Sequence, residues 1–505
     1  MPHMNDTNNK KSIFDPARWG IPIKAVEELG NSLQNFWERF RGCFKSKTRD
    51  TSGYAYHYLS GQLRMDNDRN FANIARTAEV SEQNMHHFMS NSPWEASSVI
   101  EQVQQEIQEI PELQKGTALL LDESGDEKAG GNSAGSGRQY IGRYGKVDMG
   151  QVGTFVSLVN LTGKVPFWTW IDAELFFPEH WFEDEMRAIR RFLGIPEDRK
   201  FESKIELGWK MIQRCKINGV PFEFVGCDAL YGNSRWLRYQ MRQHGIIYMA
   251  DVSKSTQVYL SKPELGIPES KPGNRGRKPE KVKVISEDKP VTVNSLNDLL
   301  EWEKIDVRNT ERGKLIDNFA SVKVFTVYEN EEDVAEEWLV IRRDSSDKYS
   351  YSLSNAPDDS SLKTLAYQKC QRYFIERANQ DAKSEAGWDE FQAQKFRAWE
   401  HHTAFCILAC WFMAQTKLEW SELQGKDPDL VKEFETDILP SLSFSNIRDL
   451  LRAVMPLPQL TPEDAMLLTI KHLVNRTKSR KSRMRKLNRE KDGDNENMSR
   501  AMRIM

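Results

Sequence analysis

Residues 117–124 read TALLLDES and residues 221–232 read PFEFVGCDALYG: two short apolar runs, each ending abruptly in an aspartate, Asp122 and Asp228. Runs of this length bounded by turn residues predict buried strands. A carboxylate at the end of such a strand is costly unless a metal ion or a base compensates it. If the two strands are neighbours, their acids meet. Aspartate and glutamate supply 74 of the 505 residues, so strand-end acids also arise as solvated groups or helix caps, and the surrounding pattern has to decide.

Outward from Asp122, QVGTFVSLVNL (151–161) and KVPFWTWIDAEL (164–175) predict an antiparallel pair joined at Thr162-Gly163. ESKIELGWKMIQRCKING (202–219) is an amphipathic helix stopped by Asn218-Gly219. The strand carrying Asp228 follows, then a short helix around 233–243 and the strand GIIYMADV (245–252). Strand, strand, strand, helix, strand, helix, strand describes a mixed sheet with an early hairpin and later crossovers. Residues 252–360 break the pattern with a Pro/Gly-rich basic loop (270–283) and three strands, a β-rich insertion. A long helix returns at 361–385 behind the cluster Asp358-Asp359-Ser360-Ser361.

Residues 16–115 are helical throughout, and NFANIARTAEVSEQNMHHFMSNSPW (70–94) has two short helical patterns around Ser81. That layout suits a helix-turn-helix in a major groove, and equally two packed helices. The expected domains are 1–115 (helical, DNA-binding), 116–251 and 361–415 (two parts of one core), 252–360 (insertion) and 416–505 (helical, with a basic tail). Eight Lys or Arg between Lys478 and Lys491 make that tail a solvated end or a phosphate contact.

Lys plus Arg (71) nearly balance Asp plus Glu (74), so any basic surface is local. The six cysteines form no CxxC pair, which argues for reduced thiols in a cytoplasm and against a disulfide framework or zinc site. The most apolar run, AFCILACWFMA (404–414), falls short of the roughly 18 residues a membrane span needs and predicts a buried helix. No secretory signal opens the sequence. The adjacent histidine pairs His86-His87 and His401-His402 point different ways on a helix, so neither is a chelate.

On the 361–385 helix, Arg372, Glu376 and Lys383 share one face, either as an ordinary i,i+4 surface pair with a neighbour or as a third acid flanked by bases. The order strand-Asp122, hairpin, helix, strand-Asp228, insertion, helix-Glu376 resembles the RNase H-like catalytic core of the DDE transposases. Arg372, Glu376 and Lys383 resemble the latter part of the YREK signature of bacterial insertion-sequence transposases. SPWEASSV, RQYIGRYGKVDMGQVG, FFPEHWFED, GVPFEFVGCDALYG, WLVIRRD and EAGWDEFQ are similar to one branch of that group and lie in order along most of the chain. The signature's tyrosine falls at Lys369, with Tyr367 and Tyr373 out of register.

The resemblance implies an α/β multidomain protein whose RNase H-like mixed sheet carries helices on both faces, is interrupted by the β-rich insertion, and is preceded and followed by helical regions. It implies a metal-binding catalytic triad of Asp122, Asp228 and Glu376, holding two Mg²⁺ ions that Mn²⁺ can replace, with two-metal phosphoryl transfer as the chemistry. The partners are double-stranded DNA, as transposon ends and as target, and a second copy of the chain on paired ends. The location is a bacterial cytoplasm, at the nucleoid. Arg372 and Lys383 are placed at phosphates. Arg138, Arg143 and Lys146 in the glycine-rich loop are DNA contacts or solvated charges. Trp302 and Trp338 are candidates for stacking an extruded base, and Trp338 also alternates as a core residue would. The competing functions are a structure-specific nuclease without strand transfer and a DNA-binding protein without catalysis.

Overall fold

The N-terminal helices are α1 (Ile23–Glu27), α2 (Leu29–Phe40), α3 (Ser52–Arg64), α4 (Phe71–Thr77), α5 (Glu82–Ser90) and α6 (Ala96–Gln108) in a computed structural model. The structure describes residues 12–45, 49–268, 280–310, 313–328 and 333–458, with part of 461–485. Most of the 270–283 basic loop lies outside the described residues, as does the tail from residue 486 onward. The chain forms two compact units, Met1–Pro456 and Leu457–Met505. What is described of the second is chiefly helical and exposed, Lys478, Arg480, Lys481 and Arg485 included.

Local chemistry explains the helix boundaries. The side chains of Asn70 and Ser81 cap α4 and α5 by accepting from the Asn73 and Asn84 N–H groups. Met85, Phe88 and Met89 turn one face of α5 into the core, leaving His86 and His87 outside.

The remaining elements of the first unit run β1 (Thr117–Glu127), β2 (Gly137–Ile141), β3 (Lys146–Asn160), β4 (Phe167–Leu175), α7 (Arg187–Leu193), α8 (Lys204–Ile217), β5 (Phe224–Cys227), α9 (Ala229–Gly232), α10 (Arg235–Gln243) and β6 (Tyr248–Val252). Next come the ribbon strands β7 (Gln257–Val258), β8 (Leu265–Gly266), β9 (Lys283–Val284) and β10 (Val291–Thr292), then β11 (Glu303–Thr310), β12 (Gly313–Val327), β13 (Val334–Arg343) and β14 (Tyr349–Ser354). Helices α11 (Leu362–Gln371), α12 (Tyr373–Ser384), α13 (Phe396–Leu423), α14 (Asp429–Glu433) and α15 (Phe444–Val454) complete it.

One ten-stranded mixed sheet organises these elements in the order β11-β12-β13-β14-β6-β5-β1-β3-β2, with β4 also paired to β3. Strands β1, β5 and β6 are mutually parallel, and every other pairing in the sheet is antiparallel. Strands β11–β14 therefore extend the sheet from the β6 edge, and β7–β10 pair into two small ribbons. Strand alternation sends Leu119 and Leu121 into a cluster with Met211, Ile212 and Leu237, while Ala118 and Leu120 meet Leu365, Phe374 and Ile375 of α11 and α12. The sheet is thus covered on both faces.

Two details depart from expectation. Strand β2 is additional, pairing across β3 from Gly137–Gly150 to Ile141–Lys146. The 361–385 helix is two helices meeting at Arg372, where the Ile375 N–H donates to the Arg372 carbonyl only three residues back. Helix α13 is 28 residues long and buried along most of its length, and among the described residues no helix is long and apolar enough to cross a membrane. All six cysteines are free.

Candidate active site

Strand pairing brings the two aspartates together. Leu121 lies opposite Cys227, and Cys227 opposite Ala250, so Asp122, Asp228 and Asp251 stand in a row across three adjacent parallel strands, just past the point where the β1–β5 pairing stops. Neighbouring strands lie about 4.8 Å apart. Each aspartate shares its parity with residues facing α11 and α12: Leu120, Phe224 and Met249. The side of the sheet that carries the acids is therefore the side against which Arg372 and Glu376 begin α12.

The first two acids are poorly compensated. Asp122 Oδ1 accepts the Glu123 N–H at 2.8 Å, yet burial, with Asp228 and Glu123 adding repulsion, pushes its carboxyl up to about 7. Asp228 Oδ1 caps α9 by accepting from the Leu230 N–H at 2.9 Å, and burial with Glu123 nearby again raises its pKa. Helix α9 packs so closely on β6 that a Cβ at Gly232 would stand 1.9 Å from the Asp251 carbonyl oxygen. Glu123 meets Lys204 Nζ at 3.4 Å through one oxygen, and its Oε2 is buried with no hydrogen-bond partner.

Arg372 spans the site. Its Nε is 3.0 Å from Asp251 Oδ2 and its Nη2 is 3.4 Å from Glu376 Oε1. Burial disfavours the guanidinium charge, but Asp251, Glu376, Asp122 and Asp228 together raise its pKa. Glu376 itself is 55% exposed and leans on Arg372. Lys383 Nζ donates to the Gly125 carbonyl of β1 at 3.0 Å, three residues beyond Asp122. A cleft of about 330 Å³ opens between Asp228, Asp251, Lys254, Tyr349 and Arg372.

Asp122 and Asp228, whose proton affinities are raised, and Glu123, with its orphaned buried oxygen, offer hard oxygen donors that fit a divalent cation such as Mg²⁺. Among the described residues no three His, Cys, Asp or Glu side chains are grouped so as to hold one ion as they stand, and Glu376 leans on Arg372.

Other predicted residues lie apart. Arg138 and Lys146 sit on the β2–β3 hairpin opposite Met149 and Ile141, whereas Asp122 pairs with Phe155. Six residues of strand separate Met149 from Phe155, about 20 Å. Lys146 is bound to Asp148 at 2.7 Å, and the Arg143 side chain lies outside what the structure describes. Trp302 donates to the Asn297 carbonyl and makes an edge contact with Tyr349 of the cleft wall. Trp338 is half-buried against the core under Lys323, its indole N–H on the Pro357 carbonyl. His401 and His402 are buried, bonded to backbone carbonyls and, for His402, to Tyr58.

The acid that sequence reasoning passed over is Asp251. The signal was there: GIIYMADV is a third apolar strand with an aspartate near its end, the pattern that singled out Asp122 and Asp228. Lys369 Nζ lies 3.0 Å from Asp251 Oδ1, and the Ser352 hydroxyl donates to the same oxygen. Burial would raise the Asp251 pKa, but Lys369 and Arg372 outweigh it and hold the group below the usual carboxylate range.

A family model described as "DDE superfamily endonuclease" matches residues 39–314, which include Asp122 and Asp228 and stop short of Glu376. The chain is also 30% identical over 157 residues to the "Probable transposase for insertion sequence element IS701" of Microchaete diplosiphon, covering 30% of this chain and 36% of that protein. The chain thus spans little more than a third of that relative's length. With the family match running over more than half of its residues, the chain belongs to the DDE superfamily of endonucleases.

Proposed function

We propose that this protein is a DNA transposase that binds the ends of an insertion sequence, cleaves them and joins the 3′-hydroxyl ends to target DNA. The observation that carries the reading is the placement of Asp122 and Asp228 side by side on the face of an RNase H-like sheet against which the Glu376 helix packs. The transposase name of the IS701 relative supports it. Arg372, Glu376 and Lys383 support assignment to the YREK group, with lysine at 369 where the signature has tyrosine.

Superfamily members use divalent metal ions, generally Mg²⁺. In this chain Asp122, Asp228 and Glu376 would hold the ions, and when bound these supply activation of the attacking oxygen and stabilisation of the leaving one. The protein's own groups orient the DNA. Arg372 presents a planar fork suited to a phosphate, and Lys383 adds a compact charge along β1. Arg138 and Lys146 on the β2–β3 hairpin would contact DNA away from the cleavage point, and Trp302 backs the cleft through Tyr349. Two copies on paired ends would let both ends be cut together.

A structure-specific nuclease is the competing reading, because the family match by itself speaks for an endonuclease. Incubating the full chain with Mg²⁺, a duplex carrying the element's terminal repeat and supercoiled target separates the two. Joined products are expected, cuts without joining favour the nuclease, and Asp122→Asn should abolish strand cleavage while leaving end binding nearly intact. Full cleavage by Asp122→Asn removes Asp122 from the mechanism.

A further inference from the structure

The third aspartate of the row differs from the other two in what surrounds it. Asp122 and Asp228 take backbone N–H groups on one oxygen each and repel one another. Asp251 has both oxygens engaged by cations: Lys369 Nζ at 3.0 Å on Oδ1, beside the Ser352 hydroxyl, and Arg372 Nε at 3.0 Å on Oδ2. The Lys369 side chain is only 3% exposed, and it also reaches the Ser352 oxygen at 2.5 Å. An ammonium this buried, with two partners from two different strands, fixes Asp251 from behind and leaves its outer oxygen to Arg372.

Arg372 is also the joint between α11 and α12, the C-cap of one and the N-cap of the other. Whatever holds its guanidinium sets where α12 starts, and with it the position of Glu376 one turn later. We infer that Asp251 is a positioning residue: backed by Lys369 and Ser352, it anchors Arg372 at the head of α12 so that the guanidinium fork faces the cleft between Asp228 and Tyr349 and Glu376 is presented to the Asp122–Asp228 pair. Asp251 touches no reacting atom in this role. The inference rests on the reading of Asp122 and Asp228 as the cleavage site.

Asp251→Asn alone would strand the buried Lys369 charge, so the variant to make is Asp251→Asn with Lys369→Met in the full-length protein. With isotope-labelled arginine, the Nε–H resonance that disappears in Arg372→Ala belongs to Arg372, and donation to a buried carboxylate slows its exchange with solvent. The double variant should keep its thermal transition and its metal-free binding to the terminal-repeat duplex. Its Arg372 resonance should shift and exchange faster, and Mg²⁺-dependent cleavage should slow about 10–100-fold, the usual cost of losing a group that orients a site residue. Adding Arg372→Ala should then slow cleavage little further, because Arg372 is already misplaced.

An unchanged Arg372 resonance, wild-type cleavage by the double variant, or losses that multiply with Arg372→Ala each overturn the positioning role. If the double variant does not fold, Ser352→Ala removes one support of Asp251 alone and should shift the resonance and slow cleavage in the same direction by less. No change in either overturns the role as well. A wild-type protein that cuts no DNA, or an Asp122→Asn variant that cuts as wild type, overturns the reading of the site itself, and the resonance then reports the Asp251–Arg372 contact without reference to catalysis.

Discussion

Asp122 is the residue at which burial and function pull against each other most directly. Its carboxyl, pushed up to about 7, keeps a proton at pH values where an ordinary aspartate has lost it. A cation can bind there only as that proton leaves, so binding becomes pH-dependent. The Mg²⁺ or Mn²⁺ concentration that half-saturates the site should rise as pH falls below about 7, by up to about tenfold per pH unit for this one proton. Titrating the protein with Mn²⁺ at several pH values, without DNA, measures this, and a flat response between pH 5 and 8 would show that Asp122 is not the group that must ionise. The pKa of Asp228 is raised in the same direction, with two N–H groups of α9 working against the shift by favouring its charged form.

At the scale of elements, the helix bearing Glu376 is held at its far end by the N-terminal region. Arg69, 3% exposed, donates to Glu390 Oε1 at 2.8 Å and to the carbonyls of Glu385 and Ser384 at 2.7 and 2.9 Å. These are the last, otherwise unsatisfied acceptors of α12, and a guanidinium there also suits the negative end of the helix dipole. Arg448 of α15 reaches the same turn, 2.8 Å from Glu385. Arg69→Ala should cost about 3–5 kcal/mol of stability, because it leaves Glu390 without its partner and the carbonyls uncapped. Arg69→Lys should recover little of it, since the single nitrogen of a lysine cannot span the separate positions that Nε, Nη1 and Nη2 reach on Glu390, Glu385 and Ser384. Urea unfolding of both variants reads the difference.

These same elements show what a sequence displays and what it hides. The apolar runs leading to Asp122 and Asp228, the hairpin at Thr162-Gly163 and the helix stop at Asn218-Gly219 were legible because apolar period and turn chemistry are local, but β1 does not end at Asp122: it continues to Glu127, its polar second half held by pairing with β3. The pairing of β1 with β5 was only conditional until the register was seen, since a parallel neighbour leaves no mark in either strand alone. Strand β2 was hidden by its glycine-rich, basic composition, which reads as a loop. The break at Arg372 was hidden because nothing in QRYF forbids a continuous helix. Asp251 was legible and overlooked, while its bond to Lys369, 118 residues away, could come only from the fold.

For the whole first unit, α13 is the central post, packed against helices from the N-terminus, α15 and β4. His402 within it is fully enclosed, with Nδ1 on the Tyr58 hydroxyl at 2.8 Å and Nε2 on the Trp388 carbonyl at 3.1 Å. Burial lowers its pKa from 6.5 to about 3. The unfolded chain therefore takes up a proton that the folded one refuses, so His402 favours the fold above pH 6.5 and this contribution is lost as pH falls from there toward 3. The slope is about 1.4 kcal/mol per pH unit. Stability measured from pH 7 to pH 4 should fall less steeply in His402→Gln than in the wild type, even if the variant starts from a lower value.

The sheet carries one more implication, about modularity. Strand β14 pairs with β6 along Tyr351–Val252 to Ser354–Met249, and Glu337 of β13 is fully buried with Arg238 of α10 at 3.0 Å and the Tyr248 hydroxyl at 2.6 Å. A segment joined in this way is no detachable cassette. Excising it to obtain a minimal enzyme would uncover a strand that carries Asp251, open a row of unpaired backbone groups to other chains, and leave Arg238 charged in an apolar setting. The smallest piece of this protein that folds around Asp122 and Asp228 should therefore include strands that the sequence sets apart as an insertion.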